Sequence, residues 1–307
     1  MIKKGFLFIL IIGGIGAYFG YPYIKMYLTA EKPNTQFSAE EKAFYIPTFT
    51  EGDSTNVSQV FSMLEDSIVE NIGDVELLSE QMNFGDSKVV PGKYVLLNGM
   101  SNKEIITQLR GGYGRKEVNI TFNNIRLKSE LCFELSQQIE ATEEEICDLL
   151  YSNQFVDKYG FNPNTIMSMF IPNTYRVQWN TSADELMTRM AKEYKTFWTD
   201  ERKQKARNIG LSQSEVATLA SIVQAEQSVK KDEQPIIAGL YLNRIKSRMP
   251  LQSDPTLVFA LGDFSIRRVL NKHKKIDSPY NTYIYAGLPP GPINLPEISA
   301  LDAVLNY

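Results

Sequence analysis

The sequence predicts an α+β protein: a single N-terminal transmembrane helix, a small α+β module, then a larger mixed α/β domain. Three observations carry this. An uncharged apolar run over residues 5–24 follows Lys3 and Lys4. Beyond it, segments with apolar residues at helical spacing alternate with short strand-like runs. Capping boxes, Ser or Thr followed three residues later by Glu, mark helix starts at Ser101, Thr142 and Ser212.

The apolar run fixes the expected compartment. Twenty residues at about 1.5 Å each reach about 30 Å, the thickness of a bilayer's hydrocarbon core. Lys3 and Lys4 keep residues 1–4 in the cytoplasm, and Tyr18, Tyr21 and Tyr23 form an aromatic belt at the far end. A cleaved signal peptide would have a shorter apolar region ending at an A-x-A-like site, and none is visible. The expectation is a single-pass plasma-membrane anchor with the bulk of the chain outside the cytoplasm. Residues 25–44, with "EKPNTQ", read as a polar tether.

From residue 45 to 112 the chain reads as the small module. "STNVSQVFSMLED" places Val57, Val60, Phe61 and Leu64 on one helical face. "VVPGKYVLL" gives a turn and a strand, and Ser101 with Glu104 caps a helix that stops at Gly111. Residues 113–307 form the larger domain. It opens with the strand "KEVNITF" and a helix carrying Leu127, Leu131, Leu135 and Ile139 on one face. A helix from Thr142 to Leu150, a Pro-containing strand-like segment with a helix after it, and a helix over about 213–226 follow.

Composition excludes several classes. A net charge of −4 and a pI near 5.3 argue against a nucleic-acid partner. "RGGYGR" lacks the spacing of a phosphate loop. One histidine, His273 in a charged loop, and two cysteines supply neither a His-based triad nor a zinc site, so no metal or cofactor is expected. Cys132 and Cys147 lack CxxC spacing. They read as buried free thiols, with a single disulfide open to them outside the cytosol.

The stretch "ASIVQAEQ" carries the candidate chemistry. Val216, Leu219, Ala220 and Val223 form an apolar stripe, and Glu226 falls at its flank, one turn beyond Ile222 and Val223. A carboxylic acid held against apolar atoms loses hydration, which favours the protonated form a general acid needs. The plain alternative is a solvated Glu at a fraying helix end. Downstream, Gln252, Ser253 and Asp254 precede Pro255, which makes Asp254 an N-cap candidate. Tyr280, Asn281, Tyr283 and Tyr285 beside "GLPPGP" offer amide donors and aromatic faces suited to a sugar chain.

These blocks resemble the membrane-anchored endolytic murein transglycosylases, the MltG or YceG-like family. The resemblance is strongest in "LASIVQAE", "LYLNRIKSRMPLQSDPT", "SPYNTYIYAGLPPGPI", "PGKYVLLNGMSNKEIITQLRGG" and "FIPNTY". It implies a LysM-like module over 45–112, a catalytic domain over 113–307, and cleavage between N-acetylmuramic acid and N-acetylglucosamine with a 1,6-anhydro end. It also implies Glu226 as the catalytic acid, peptidoglycan strands as substrate, and cell-wall synthases as partners. Gln224, Asn243, Gln252, Ser253, Asp254, Tyr280, Asn281 and Tyr283 are the substrate-contacting candidates. Two departures stand out. The family's helix reads A-S-I-V-E-K-E where Gln224 replaces the first Glu, and its members continue beyond "ALDAVLNY". Two other readings remain open: a hydrolase pairing Glu226 with Asp254, and a non-catalytic glycan-binding scaffold.

Overall fold

A computed structural model describes residues 20–21, 23–48, 56–65 and 68–307. Most of the apolar run read as an anchor lies outside those residues. Among the described residues, no helix is long and apolar enough to cross a membrane. The chain divides into two compact units, residues 1–118 with 178–180, and residues 119–177 with 181–307.

In the first unit, strand β1 (Glu41–Ile46) pairs antiparallel with β2 (Gly92–Leu97), Glu41 opposite Leu97 and Ile46 opposite Gly92. Helices α1 (Val57–Glu65) and α2 (Ile72–Gln81) lie between them in sequence. Helix α3 (Asn102–Leu109) follows, with the expected Ser101–Glu104 capping box. The α1 face read from the sequence is the buried one, as Val57, Val60, Phe61 and Leu64 all sit in the core. Gly111 takes a φ of 63° at the end of α3, the left-handed conformation that a non-glycine residue resists.

The stretch expected to be a tether differs. Residues 23–31 are helical, and β1 begins at Glu41. Between them, Asn34 and Thr35 are buried. Asn34 Nδ2 donates to Asn102 Oδ1 at 2.5 Å and to the Asn71 carbonyl at 2.7 Å, while Asn34 Oδ1 accepts from the Asn71 amide at 2.9 Å. Thr35 Oγ1 donates to the Leu97 carbonyl and accepts from the Met100 amide, both at 2.7 Å. Polar residues here face the interior because each finds partners on distant segments, which satisfies groups that would otherwise be costly to bury. Local polarity reads as linker; the partners lie up to 68 residues away.

In the second unit, strand β3 (Arg115–Thr121) enters from the first and neighbours β4 (Thr174–Gln178) in strand order. Helices α4 (Lys128–Ser136), α5 (Glu143–Tyr151) and α6 (Asn153–Lys158) precede β4. Helices α7 (Ala183–Phe197) and α8 (Asp200–Asn208) follow it. Cys132 on α4 and Cys147 on α5 form a disulfide, with Cα atoms 5.5 Å apart. That settles the two cysteine readings against free thiols. Helix packing had to bring the two together, and their sequence spacing does not show it.

The centre of this unit is α9 (Gln213–Glu226), opened by the Ser212–Glu215 capping box. It is not a one-sided amphipathic helix: every residue from Val216 to Val223 is buried. Helices α10 (Gln234–Lys246), α11 (Asp254–Leu261) and α12 (Ile298–Leu305) follow in sequence and surround it. The block around "LYLNRIKSRMPLQSDPT" is mainly two helices joined by one tight loop.

Candidate active site

Helix α9 leaves the core in its last turn, where Ala225 and Glu226 are exposed while Ile222 and Val223 are fully buried. The Glu226 side chain is exposed, where the sequence predicts a carboxylate sheltered by an apolar wall. The buried stripe supports the helix backbone beneath it, and the side chain projects beyond the packed layer. Two hydroxyls hold it instead. Ser253 Oγ donates to Glu226 Oε1 at 2.6 Å, and Tyr241 Oη donates to the same oxygen at 2.9 Å. Among the described residues Oε2 accepts no hydrogen bond. Burial, and then the Glu226 charge, push the Tyr241 phenol well above its ordinary titration range, so it stays protonated as a donor.

Three elements bring these groups together. Tyr241 and Arg244 sit three apart on α10 and so share a face. Arg244 donates to the carbonyls of Leu251 at 2.6 Å and Pro250 at 3.2 Å, which ties down the loop ahead of α11. Gln252 then adopts a φ of 56°, a left-handed conformation rarely taken by a residue with a side chain. This strained residue immediately precedes Ser253. The Gln252 amide donates to the Thr282 carbonyl at 2.9 Å, and the Ser253 amide donates to Thr282 Oγ1 at 3.0 Å. Thr256 Oγ1 donates to the Ser253 carbonyl at 2.7 Å and lies 2.8 Å from Thr282 Oγ1. Ser253, Thr256 and Thr282 are all buried, so the hydroxyl aimed at Glu226 stands on a closed polar cluster.

The other candidates have distinct places. Asp254 is not the N-cap; Ser253 occupies that position, without a side-chain capping bond, and Asp254 is the first helical residue. Its Oδ1 accepts from Tyr283 Oη at 2.5 Å. Burial, together with that bond and the charges of Asp254 and Glu226, pushes the Tyr283 phenol up to about 12. Asn281 is fully buried and organises its loop: Nδ2 donates to the carbonyls of Lys274 and Ile276, and Oδ1 accepts from the Tyr283 amide. Tyr280 packs on Phe259 with ring centroids 4.8 Å apart. Asn243 is exposed on α10 and takes no part in holding Glu226, since two residues turn the helix by about 200° from Tyr241.

Gln224 also has a task of its own. Its Oε1 accepts from the Glu297 amide at 2.6 Å, at the start of α12. Ser221 Oγ accepts from the Ile293 amide, and Asn294 Nδ2 donates to the Ser221 carbonyl, both at 3.0 Å. The end of the "GLPPGPINLP" block is thus fastened along α9. Gly291 within it is required by close packing, as a Cβ there would meet the Asn164 carbonyl oxygen at 2.0 Å.

Sequence reasoning missed Tyr241, Arg244, Thr256 and Thr282. Each lies inside a block singled out above, yet no local pattern marks it. Tyr241 reads as a core aromatic, and Thr282 is interposed between residues that look more suited to sugars.

The site carries two exposed carboxylates: Glu226, oriented through Oε1 by two hydroxyls from buried residues, and Asp254, which accepts one hydroxyl on Oδ1; the second oxygen of Glu226 is left to exchange a proton. The comparisons with known proteins bear on the same region. The YceG-like family profile matches residues 50–307. The endolytic murein transglycosylase of Bacillus subtilis is 29% identical over 237 residues, covering 72% of this chain and 65% of that protein. Its namesake in Streptococcus pneumoniae is 27% identical over 340 residues, covering 98% of this chain and 58% of that protein. The chain therefore spans about three fifths of the length of these curated relatives. A crystal structure of a YceG-like protein from Listeria monocytogenes shares the fold, with a TM-score of 0.56 at 23% identity, over 87% of this chain and 90% of the other. With a family match extending over most of its length and through the whole Glu226 site, the chain belongs to the YceG-like family.

Proposed function

We propose that the protein is an endolytic peptidoglycan transglycosylase with Glu226 as its sole proton carrier. The observation that carries this is the asymmetry of the Glu226 carboxylate: Oε1 is held by Ser253 and Tyr241, and Oε2 is unengaged and exposed. A proton on Oε2 is transferred to the glycosidic oxygen between N-acetylmuramic acid and N-acetylglucosamine, and the bond to the muramoyl C1 breaks. The substrate's own N-acetyl oxygen stabilises the sugar cation. The ionised Glu226 then takes the proton from the muramoyl 6-hydroxyl, whose oxygen closes on C1 as a 1,6-anhydro ring. No water is consumed, so no second carboxylate is needed to activate one, unlike hydrolytic glycosidases. The Bacillus and Streptococcus relatives, both endolytic murein transglycosylases, support the same reaction.

The substitution at Gln224 does not weigh against activity. The bond it makes to the Glu297 amide requires only an acceptor oxygen, which an amide supplies as well as a carboxylate. Residues 45–112 are proposed as a LysM-like glycan-holding module, and residues 5–24 as a single-pass plasma-membrane anchor. The Cys132–Cys147 disulfide supports a site of action outside the reducing cytosol. Cell-wall synthases are the proposed protein partners.

Mass spectrometry of the products from purified glycan strands tests the reaction. Anhydro ends, lighter than reducing ends by one water, are expected. Reducing ends would assign a hydrolase, with Asp254 as the second acid. Strand binding without turnover would assign a scaffold.

A further inference from the structure

We propose that the cleft lined by Arg126, Arg267 and Arg268 next to Glu226 is a subsite for the carboxylates of the peptide stems on a glycan strand. This inference rests on the glycan-cleaving function proposed above. The cleft encloses about 480 Å³ and is also lined by Gln224, Ala225 and Asp254, so it abuts Glu226 on α9 and Ser253 ahead of α11. Its charge runs against that of the molecule. The chain carries −4 overall, yet three Arg and one Asp line the cleft. Among the described residues none of the three arginines forms an ion pair, and Asp254, the acid in the cleft, accepts its hydrogen bond from Tyr283 rather than from any of them. Arg126 is held in place by the Phe264 ring, 4.8 Å from its guanidinium carbon.

Three exposed guanidinium groups around one recess suit planar anions, because each presents a rigid fork of donors that matches a carboxylate. The substrate's chemistry supplies such anions at the right place. Every muramoyl sugar in murein bears a lactyl-linked peptide with free carboxylates. The muramoyl ring that closes at Glu226 therefore projects its stem from the cleavage point itself. A recess beside the acid is where that stem would lie. Exposed pairs of this kind are individually weak, so the combined effect on affinity is expected to be on the order of tenfold.

Binding is measured with the full chain carrying Glu226→Gln, which separates recognition from turnover. Peptide-bearing strands should bind on the order of tenfold more tightly than strands stripped of their stems. Converting the stem carboxylates to neutral amides should reduce binding to the stripped level. Arg267→Gln with Arg268→Gln should remove most of the difference and leave the binding of stripped strands unchanged. Arg126→Gln, on a separate segment, should act in the same direction. Equal affinity for charged and amidated strands would overturn the proposal, and so would arginine variants that weaken both kinds of strand alike. Turnover by the unsubstituted chain is read independently. Anhydro products with no carboxylate preference in binding would sink the subsite alone. A preference without turnover would sink the cleavage reading alone.

Discussion

Ser253→Ala is the most informative single change in the site. It removes one oxygen from a fully buried residue and leaves both backbone bonds of that residue intact, from its amide to Thr282 Oγ1 and from Thr256 Oγ1 to its carbonyl. The start of α11 should stay in place, and the thermal midpoint should change little. What is lost is the 2.6 Å bond to Glu226 Oε1. A hydrogen bond to a charged group is worth about 1.5–3 kcal/mol. Glu226 is exposed, so water replaces part of it, and Tyr241 still holds the same oxygen. The lower figure applies, and about 1.4 kcal/mol corresponds to a tenfold loss of rate. Turnover of glycan strands, followed by release of anhydro ends, should therefore fall about tenfold. Glu226→Gln sets the scale. Its amide oxygen still accepts from both hydroxyls, so binding should persist, while loss of the transferable proton should lower turnover by at least about 10²-fold. Wild-type turnover in Ser253→Ala would refute the view that this hydroxyl orients the acid. A loss equal to that of Glu226→Gln, in a folded protein, would mean that Ser253 itself enters the chemistry.

Four further expectations follow from the same geometry. Gln224→Ala frees the Glu297 amide at the start of α12 and should cost about 1 kcal/mol in thermal or denaturant unfolding, whereas Gln224→Glu retains an acceptor and should melt close to wild type; equal melting of the two would remove the role given to this bond. Tyr283 titrates at about 12 rather than 10, so its neutral form contributes stability that is complete below pH 10 and is lost as pH rises through about 12. Asp254→Asn removes one charge and should move the Tyr283 titration, followed by tyrosinate absorbance, back toward 10 without reaching it, because burial remains the larger cause; an unmoved titration would discount Asp254. Replacing Cys132 and Cys147 together by Ala opens a loop of separation 15 and should destabilise the second unit by about 3 kcal/mol, and equal unfolding midpoints with and without the bridge would contradict this.

Helix starts were readable from the sequence alone. The capping boxes at Ser101, Thr142 and Ser212 depend on side-chain and backbone groups three residues apart, and the structure contains all three. The buried face of α1 and the left-handed stop at Gly111 are equally local, since a helical period and a backbone conformation are properties of neighbouring residues. Glu226 was singled out from its position after an apolar stretch, and it does emerge where the core helix reaches the surface.

Tertiary structure decided what surrounds it. Glu226 was expected against an apolar wall and is instead oriented by Tyr241, 15 residues away, and Ser253, 27 residues away. Thr282, a further 29 residues beyond Ser253, holds that loop in register. The same limit explains the residues read as tether, because Asn34 becomes an interior residue only through Asn71 and Asn102. It also explains the cysteines, which become a bridge only once α4 packs on α5. Caps and faces are set by bonds and periodicities spanning a few residues, so the order of amino acids determines them directly. A hydrogen bond between distant side chains forms only after the core has placed both backbones, and nothing in the local sequence at either end identifies its partner.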